Sequence, residues 1–349
     1  MVERGVSSER ILGGPLGVVL APLGALYAGV AAIRVSAYQR HLFKSVRPPL
    51  PTLSIGNISA GGTGKTPLLF SILAWMKEHQ LSAGVLSRGY GGDEGRLLEA
   101  RFPEVSLIEN PDRVSGLSEM LSASKPDILL LDDGFQHLRL QRDLDVVLID
   151  ATRPFGRCFP AGLFRESATA LRRADLVVVS RASLVSEQTL DEIWHELKRV
   201  RGGLADLPRI EGDVQLLEVR CINTDEQLPL ASLVGAEAML ACGIGNPQSF
   251  NHLCERAGVK VVATRYLRDH SSWNEQHIAA GAGHPLVLVT EKDAVKLQGR
   301  ALDNMFVVRV DWEFQQGKEA WWQALDEFVL PVRAARIEPL WQAHLENMD

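Results

Sequence analysis

The sequence is poor in cysteine, and the few cysteines that it has are scattered. Only Cys158, Cys221, Cys242 and Cys254 occur among 349 residues, and no two of them form a C-x-x-C pair. This spacing excludes a dense disulfide framework and shows no zinc pattern. We therefore expect a reduced, cytoplasmic protein.

Internal repeats, low-complexity tracts and an excess of positive charge are also missing. The formal net charge is −6, which argues against general binding to nucleic acid. Apolar residues make up 46% of the chain and charged residues 23%, as is ordinary for a globular protein. A chain of 349 residues is long enough for about two domains.

The N-terminus differs from the rest of the chain in charge and in hydropathy. Residues 1–50 hold six lysines and arginines against two glutamates, and residues 11–33 form an uncharged run of 23 residues. Such a run is long enough to cross a bilayer, although its five glycines and two prolines weaken a straight helix. A cleaved signal peptide and a buried soluble helix are the alternatives.

We predict a membrane-associated helix that contacts the membrane surface through residues 11–47. The basic residues that follow the run place the body of the protein on the cytoplasmic side, because lysine and arginine residues next to a membrane segment usually stay on that side. Spanning the bilayer and lying in its interface both remain open.

A glycine-rich loop is the strongest local signal. An apolar strand around Leu53 and Ile55 leads into the loop, and a stretch with helical apolar spacing follows it. This strand–loop–helix context predicts a phosphate-binding loop for ATP or GTP, although Ser59 stands where glycine is usual. The predicted nucleotide contacts are Ser59, Ala60, Gly61, Gly62, Thr63, Gly64, Lys65 and Thr66. Lys65 is expected to neutralise the β- and γ-phosphates, and Thr66 to bind Mg²⁺.

Two carboxylates end a continuous apolar run over residues 127–133. Such a run is typical of a buried parallel strand, and an acid at its carboxyl end holds Mg²⁺ in many nucleotide sites. Either Asp132 or Asp133 is therefore a predicted metal ligand. His137, in the following loop, is by itself more often structural than a ligand.

Two further polar pairs have weaker local signals. Arg165 and Glu166 precede a short helical stretch, where a cation would stabilise the transferred charge and a carboxylate would bind metal. A surface ion pair is the alternative. Asp93 and Glu94 follow the second strand, and on local sequence alone a solvated acidic turn is favoured.

Apolar strand-like runs alternate with helical stretches along most of the chain. This alternation predicts an α/β fold with a P-loop NTPase-like, mostly parallel sheet flanked by helices, together with a smaller C-terminal α/β domain. The predicted divisions are a membrane-associated segment at 1–46, a nucleotide-binding domain at 47–213, a connector at 214–235, a smaller domain closing over the cleft at 236–330, and a tail at 331–349.

Taken together, the motifs resemble the tetraacyldisaccharide 4′-kinase family, over nearly the whole chain. The resemblance is carried, in order, by Ser54-Ile-Gly-Asn57, Gly61-Gly-Thr-Gly-Lys-Thr-Pro67, Ser87-Arg-Gly-Tyr90, Gly92-Asp-Glu94, Asp132-Asp-Gly-Phe-Gln-His137, Pro160-Ala-Gly162, Arg165-Glu166, Gly243-Ile-Gly-Asn-Pro247, Asp269-His270 and Thr290-Glu-Lys-Asp-Ala-Val-Lys296. The sequence departs from the family in a shortened stretch before Gly92, in Gly95 for a proline, and in Ser271 for a second histidine.

The resemblance implies a lipid kinase of lipid A biosynthesis at the inner membrane. Its cofactors would be ATP and Mg²⁺, and its acceptor the 4′-hydroxyl of an acylated glucosamine disaccharide 1-phosphate. Asp93 paired with His270 would activate that hydroxyl. The other implied roles are charge stabilisation by Lys65 and Arg165, phosphate proximity for His137, and metal binding by Thr66, Asp132 or Asp133, and Glu166.

A membrane-tethered P-loop NTPase that acts as a switch or assembly factor is the competing hypothesis. A switch needs a residue that orients water and loops that respond to the γ-phosphate. A kinase needs a base that reaches an alcohol. The Asp93 and His270 pair favours the kinase.

Overall fold

One continuous sheet runs through the protein. The computed structural model describes residues 15–89, 92–202, 207–269 and 271–346, and its strands form a 12-stranded sheet. The strands are β1 Thr52–Asn57, β2 Ala83–Ser87, β3 Ser106–Glu109, β4 Ile128–Asp132, β5 Leu144–Asp150, β6 Leu176–Ser180, β7 Ile210–Cys221, β8 Gln227–Leu228, β9 Glu237–Cys242, β10 Lys260–Tyr266, β11 Val287–Thr290 and β12 Met305–Gln316. Their order is β10-β9-β11-β12-β7-β6-β5-β1-β4-β2-β3, and β8 pairs with β7.

Helices alternate with these strands. They are α1 Pro15–Val19, α2 Ala21–Gln39, α3 Lys65–Glu78, α4 Asp93–Arg101, α5 Arg113–Ala123, α6 Glu187–Arg201, α7 Pro247–Arg256, α8 Glu275–Ala279, α9 Glu291–Leu297 and α10 Lys318–Glu346. Short 3₁₀ turns cover Ala168–Arg173, Ala182–Leu184 and Leu230–Leu233. The predicted α/β fold with a mostly parallel sheet is confirmed.

Helix α6 illustrates how local sequence sets these bounds. The Ser186 side chain accepts a hydrogen bond from the backbone N–H of Thr189 at the start of the helix. Gly202 ends it in the left-handed conformation, with φ of 58°. An oxygen side chain before the first turn and a glycine after the last are the usual signals for a helix start and end.

The sheet has two halves of opposite strand direction. In the first half, β1–β6, all pairs are parallel; in the second half, β9–β11 are parallel to one another and to β12. Strands β7 and β12, of 12 residues each, pair antiparallel and join the halves. Residues 214–221, at the start of the predicted connector, lie in β7. The division into domains stays a prediction.

This reversal brings the carboxyl ends of the parallel strands of both halves together. Strand β7 starts beside the carboxyl end of β6 and runs away from the first half, whereas β12 returns toward it. The first-half strands therefore point at the second half, and β9 and β11 point back. Because ligands bind at the carboxyl ends of parallel strands, both sets of ends face one cleft.

Apolar side chains cover both faces of the sheet. Strand β4 is buried along Ile128–Leu131, as its continuous apolar run predicts. Helix α10, although it follows the second half in sequence, packs Trp321, Leu325 and Val329 into the core of the first half. The two halves are thus tied together by the sheet and by this helix.

Helix α2 lies against the first half beside the cleft. A Cβ atom on Gly24 would come within 2.8 Å of the Cys158 carbonyl oxygen, so only glycine permits this close approach. Among the described residues, none of the helices combines the length and the apolarity needed to cross a bilayer. Residues 11–14 of the predicted uncharged run lie outside the described residues.

Candidate active site

The phosphate-binding loop connects β1 to α3. Gly61 and Gly64 adopt φ angles of 111° and 89°, which side chains rarely permit, and Gly64 directly precedes the first turn of α3. The Asn57 side chain donates a hydrogen bond of 3.0 Å to the Thr63 hydroxyl and fixes the loop from inside. Ser59 forms an extended bridge with Phe164, so this position does not require the glycine of the usual pattern.

Arginines also support the loop from outside. Arg153 donates to the Ala60 carbonyl at 3.2 Å, and Arg181 donates to the Gly62 carbonyl at 2.6 Å. These contacts occupy the carbonyl oxygens of Ala60 and Gly62. The Ala60 N–H is also occupied, since it donates to the Leu163 carbonyl at 2.8 Å. Phosphate would therefore bind further along the loop, at the N-terminus of α3.

Asp133 is the centre of a cluster of cations. Its carboxylate lies 3.3 Å from Lys65 Nζ and 2.6 Å from the Arg165 guanidinium. Burial acts to raise the pKa of this carboxyl, but Lys65 and Arg165 outweigh it and lower the pKa to about 2. The structure thus brings the predicted phosphate-binding lysine and the predicted charge-stabilising arginine to one carboxylate at the end of β4.

Asp132, the neighbouring carboxylate, has different surroundings. Burial raises its pKa to about 6; Lys65 opposes this shift, whereas Glu94 and Asp133 add to it. Asp132 and Thr66 line the same cavity. A carboxylate and a hydroxyl that line one cavity fit a cation that takes its remaining ligands from phosphate oxygens and water, as Mg²⁺ does. Among the described residues, no three His, Cys, Asp or Glu side chains form a metal cluster by themselves.

Glu166 has its carboxylate occupied by protein groups. Arg173 contacts both oxygens at 2.9 and 3.1 Å, and the Gln136 amide donates to one of them at 2.9 Å. Gln136 also donates to the Asn57 carbonyl at 2.9 Å. Glu166 lines the cavity, and in this arrangement it holds Gln136 and the end of β1. Its role as a metal ligand stays a prediction.

His137 and Arg113 lie around the end of β4. Burial and the nearby Arg113 lower the pKa of His137 to about 4, so its imidazole is neutral at pH 7. The buried Arg113 donates to backbone carbonyls of Ser87, Asn110 and Asp132 at 2.7, 2.6 and 3.2 Å. It thereby ties together the ends of β2, β3 and β4. Nothing in its local sequence marks this role.

A cavity of about 900 Å³ joins these groups to the second half. From the first half it is lined by the phosphate-binding loop, Asp132, Asp133, His137 and Arg165. From the second half it is lined by the turn after β9, by α7 and by the start of α9. It extends to Tyr27, Ala31, Arg34 and Val35 on α2. A nucleotide and a second substrate would share this space.

Asp93 is the buried first residue of α4. It pairs with Lys296 of the second half, whose Nζ lies 2.7 Å from Asp93 Oδ2. The adjacent Glu94 lines the cavity. His270 lies outside the described residues, but its neighbours Asp269 and Ser271 are described and contact lysines of α9. Lys296 thus connects Asp93 to Ser271, and the pairing of Asp93 with His270 stays a prediction.

The chain is similar to known proteins in sequence and in fold. A sequence profile of the family described as tetraacyldisaccharide-1-P 4′-kinase matches residues 16–94 and 91–329. The tetraacyldisaccharide 4′-kinase of Pelobacter propionicus is 33% identical over 312 residues, covering 80% of this chain and 83% of that protein. The protein of the same name from Anaeromyxobacter sp. strain K is 35% identical over 364 residues, covering 93% and 95%. The crystal structure of LpxK from Aquifex aeolicus in complex with ATP is similar with a TM-score of 0.70 and 26% identity, covering 91% of this chain and 99% of that one.

Proposed function

The chain belongs to the tetraacyldisaccharide-1-P 4′-kinase family, and on this basis we propose that it transfers the γ-phosphate of ATP to the 4′-hydroxyl of a tetraacyldisaccharide 1-phosphate in lipid A biosynthesis. The observation that carries the proposal is the cavity. It connects a phosphate-binding loop, an acidic helix start on α4 and the apolar helix α2. A nucleotide hydrolase that transfers phosphate only to water has no need of the part of the cavity that reaches α2.

The nucleotide would bind at the N-terminus of α3. Backbone N–H groups of the loop would hold its phosphates, and Lys65 and Arg165 would stabilise charge on the transferred group. Thr66 and Asp132 are the residues that would hold Mg²⁺, which neutralises phosphate charge when bound. We favour Asp132 over Asp133 because Lys65 and Arg165 already neutralise Asp133.

The acceptor hydroxyl would be activated by Asp93. The carboxylate takes the hydroxyl proton while the hydroxyl oxygen bonds to the γ-phosphorus and the bond to the β-phosphate oxygen breaks, releasing ADP. His270, which follows Asp269 in sequence, would orient this carboxylate. The neutral His137 imidazole would donate or accept a hydrogen bond near the phosphates.

A direct assay tests the reaction. We expect wild-type protein to move label from γ-labelled ATP to the tetraacyldisaccharide 1-phosphate in mixed micelles, and we expect this transfer to require Mg²⁺. Chromatography of the lipid measures it. Hydrolysis of ATP with no labelled lipid, under conditions where the lipid is dispersed, would favour the NTPase switch instead.

Helix α2 would bring the protein to the membrane. Tyr27, Ala31, Arg34 and Val35 line the cavity, whereas another face of α2 exposes apolar side chains at Leu23, Leu26, Val30 and Ile33. Their spacing of three and four residues puts them on one stripe of the helix. We infer that this stripe lies in the interface of the inner membrane, with the body on the cytoplasmic side, so that acyl chains remain in lipid while the sugar enters the cavity.

Replacing Leu26, Val30 and Ile33 together with glutamine is expected to weaken binding to anionic lipid vesicles at least about tenfold, because three apolar side chains lose their burial. Vesicle co-sedimentation measures the effect. The matched control replaces three other exposed apolar residues with glutamine. They are Leu217 in β7, and Val234 and Val262 in the second half, all of them away from α2. The membrane proposal is wrong if both triple variants bind vesicles as the wild type does.

A further inference from the structure

Helix α9 uses its charged side chains to hold other parts of the site. Its sequence, Glu291-Lys-Asp-Ala-Val-Lys-Leu297, lies at the carboxyl end of β11 and faces α4 of the first half. The sequence alone indicates no role for these residues. Its polar contacts fall into three sets.

The first set anchors the helix in the second half. The fully buried Asp293 accepts hydrogen bonds from the Gly243 backbone N–H at 2.9 Å, the Trp273 indole at 3.0 Å and the Thr290 hydroxyl at 2.6 Å. Three donors on one buried carboxylate fix the position of α9 relative to the turn after β9. The helix is therefore a rigid base for the side chains that leave it.

The second set consists of two lysines one turn apart. Lys296 Nζ lies 2.7 Å from Asp93 Oδ2 and 3.2 Å from the Ser271 carbonyl oxygen. Lys292 Nζ lies 2.9 Å from Asp269 Oδ1 and 3.7 Å from Glu94 Oε1. Each lysine thus contacts one residue of the 93–94 pair and one residue of the 269–271 segment. Positions i and i+4 share a helix face, so the two contacts run in parallel.

The third set joins α4 and α9 through other residues. Arg101 on α4 lies 3.4 Å from Glu291 and donates to the Val310 carbonyl at 2.8 Å. Both side chains are largely buried, like those of Lys296 and Asp93. This pair provides an internal comparison for the lysine contacts.

We propose that Lys296 is a positioning residue for phosphate transfer. It supplies the counter-charge for the buried Asp93 carboxylate and links that carboxylate to the Ser271 carbonyl. Lys292 makes the parallel link between Glu94 and Asp269 one turn earlier. A buried carboxylate without a cation is costly and moves toward water or another partner. The inference rests on the proposed function, because it assigns Lys296 an effect through the proposed base.

Steady-state kinetics on the full-length protein test this role. Lys296→Met is expected to lower kcat about 10²-fold, the usual effect of displacing a reacting group by about 1 Å, with the KM for ATP within about threefold of wild type. Lys296→Arg, which keeps the charge, is expected to recover most of this loss. In the Asp93→Asn background, Lys296→Met is expected to cause no further loss, because both changes affect one group.

The control variant is Arg101→Met, which breaks a contact between the same helices. It is expected to keep kcat within about threefold of wild type. An equal loss of kcat in Arg101→Met and Lys296→Met would show that Lys296 acts only by linking the two halves, and it would overturn the proposal. Independent, multiplying effects of Asp93→Asn and Lys296→Met would overturn it too.

Two further measurements keep the outcomes distinct. Thermal unfolding reports whether Lys296→Met is folded; if it is not, Lys296→Gln against Lys296→Arg makes the same comparison of charge. Wild-type protein that labels no lipid would count against the proposed function. Wild-type protein that labels lipid while Lys296→Met matches its kcat would count against the lysine alone.

Discussion

Asp93→Asn is expected to lower kcat for phosphate transfer about 10²- to 10⁴-fold, the range that general-base catalysis supplies. Asparagine keeps the shape of aspartate but cannot accept the hydroxyl proton. The KM for ATP is expected to change little, because the predicted nucleotide contacts lie on the loop before α3, on the first turn of α3 and at His137, and not on α4. Transfer of label to lipid, with both substrates varied, measures the two constants separately.

Two companion variants make this experiment decisive. Glu237→Gln removes an exposed carboxylate that pairs with Lys260 at 2.5 Å, and it is expected to leave kcat unchanged. Glu94→Gln tests the carboxylate that lines the cavity next to Asp93. Near-wild-type transfer by Asp93→Asn with a large loss in Glu94→Gln would assign the base to Glu94.

Lys65→Met is expected to lower kcat about 10³-fold and to raise the KM for ATP. Removing one preorganised donor to developing charge costs about 10²- to 10³-fold in rate, and this lysine also contributes to ground-state binding of the phosphates. Its Nζ lies 3.3 Å from Asp133 and its side chain is largely buried, so water cannot readily replace it. Both lipid labelling and ATP hydrolysis are to be measured.

Lys77→Met is the matched control for this variant. Lys77 lies on the same helix, but its Nζ pairs with Glu104 at 2.8 Å and its side chain is exposed. It is expected to keep both activities. Lipid labelling by Lys65→Met within tenfold of wild type would show that the loop does not bind the transferred phosphate in the proposed way.

The first half of the fold was predictable because its signals are local. The apolar run before Asp132 and Asp133 predicts β4, and the structure has it at Ile128–Asp132. The glycine-rich loop predicts the β1–α3 connection, since positive φ angles at Gly61 and Gly64 are available to few other residues. In both places the local chemistry alone determines the backbone.

Pairing between distant strands was not predictable in the same way. The sequence indicates strands near Val214–Arg220 and Met305–Val310, but β7 and β12 extend over 12 residues each. Register shifts between Arg309 and Val310, and between Phe314 and Gln316, interrupt the alternation that marks a strand. Helix α10 likewise continues past Pro331 to Glu346, whereas the apolar spacing indicates an end at Val329.

Partners within the site are a third level that the sequence does not specify. Glu166 and Asp133 both appear as candidate metal ligands in the sequence. The structure pairs Glu166 with Arg173 and Asp133 with Lys65 and Arg165. Which cation reaches which carboxylate depends on the side-chain directions of segments that are distant in sequence, and no spacing rule encodes that.

The opposed strand directions of the two halves also shape the electric field of the molecule. Helix α3 follows a strand of the first half and α7 follows a strand of the second, yet both begin at the same cavity. The start of each helix carries about half a positive elementary charge. A protein with a net charge of −6 therefore directs two positive dipole ends into one cleft. A phosphate group at either of these helix starts would be stabilised there, inside a protein whose overall charge is negative.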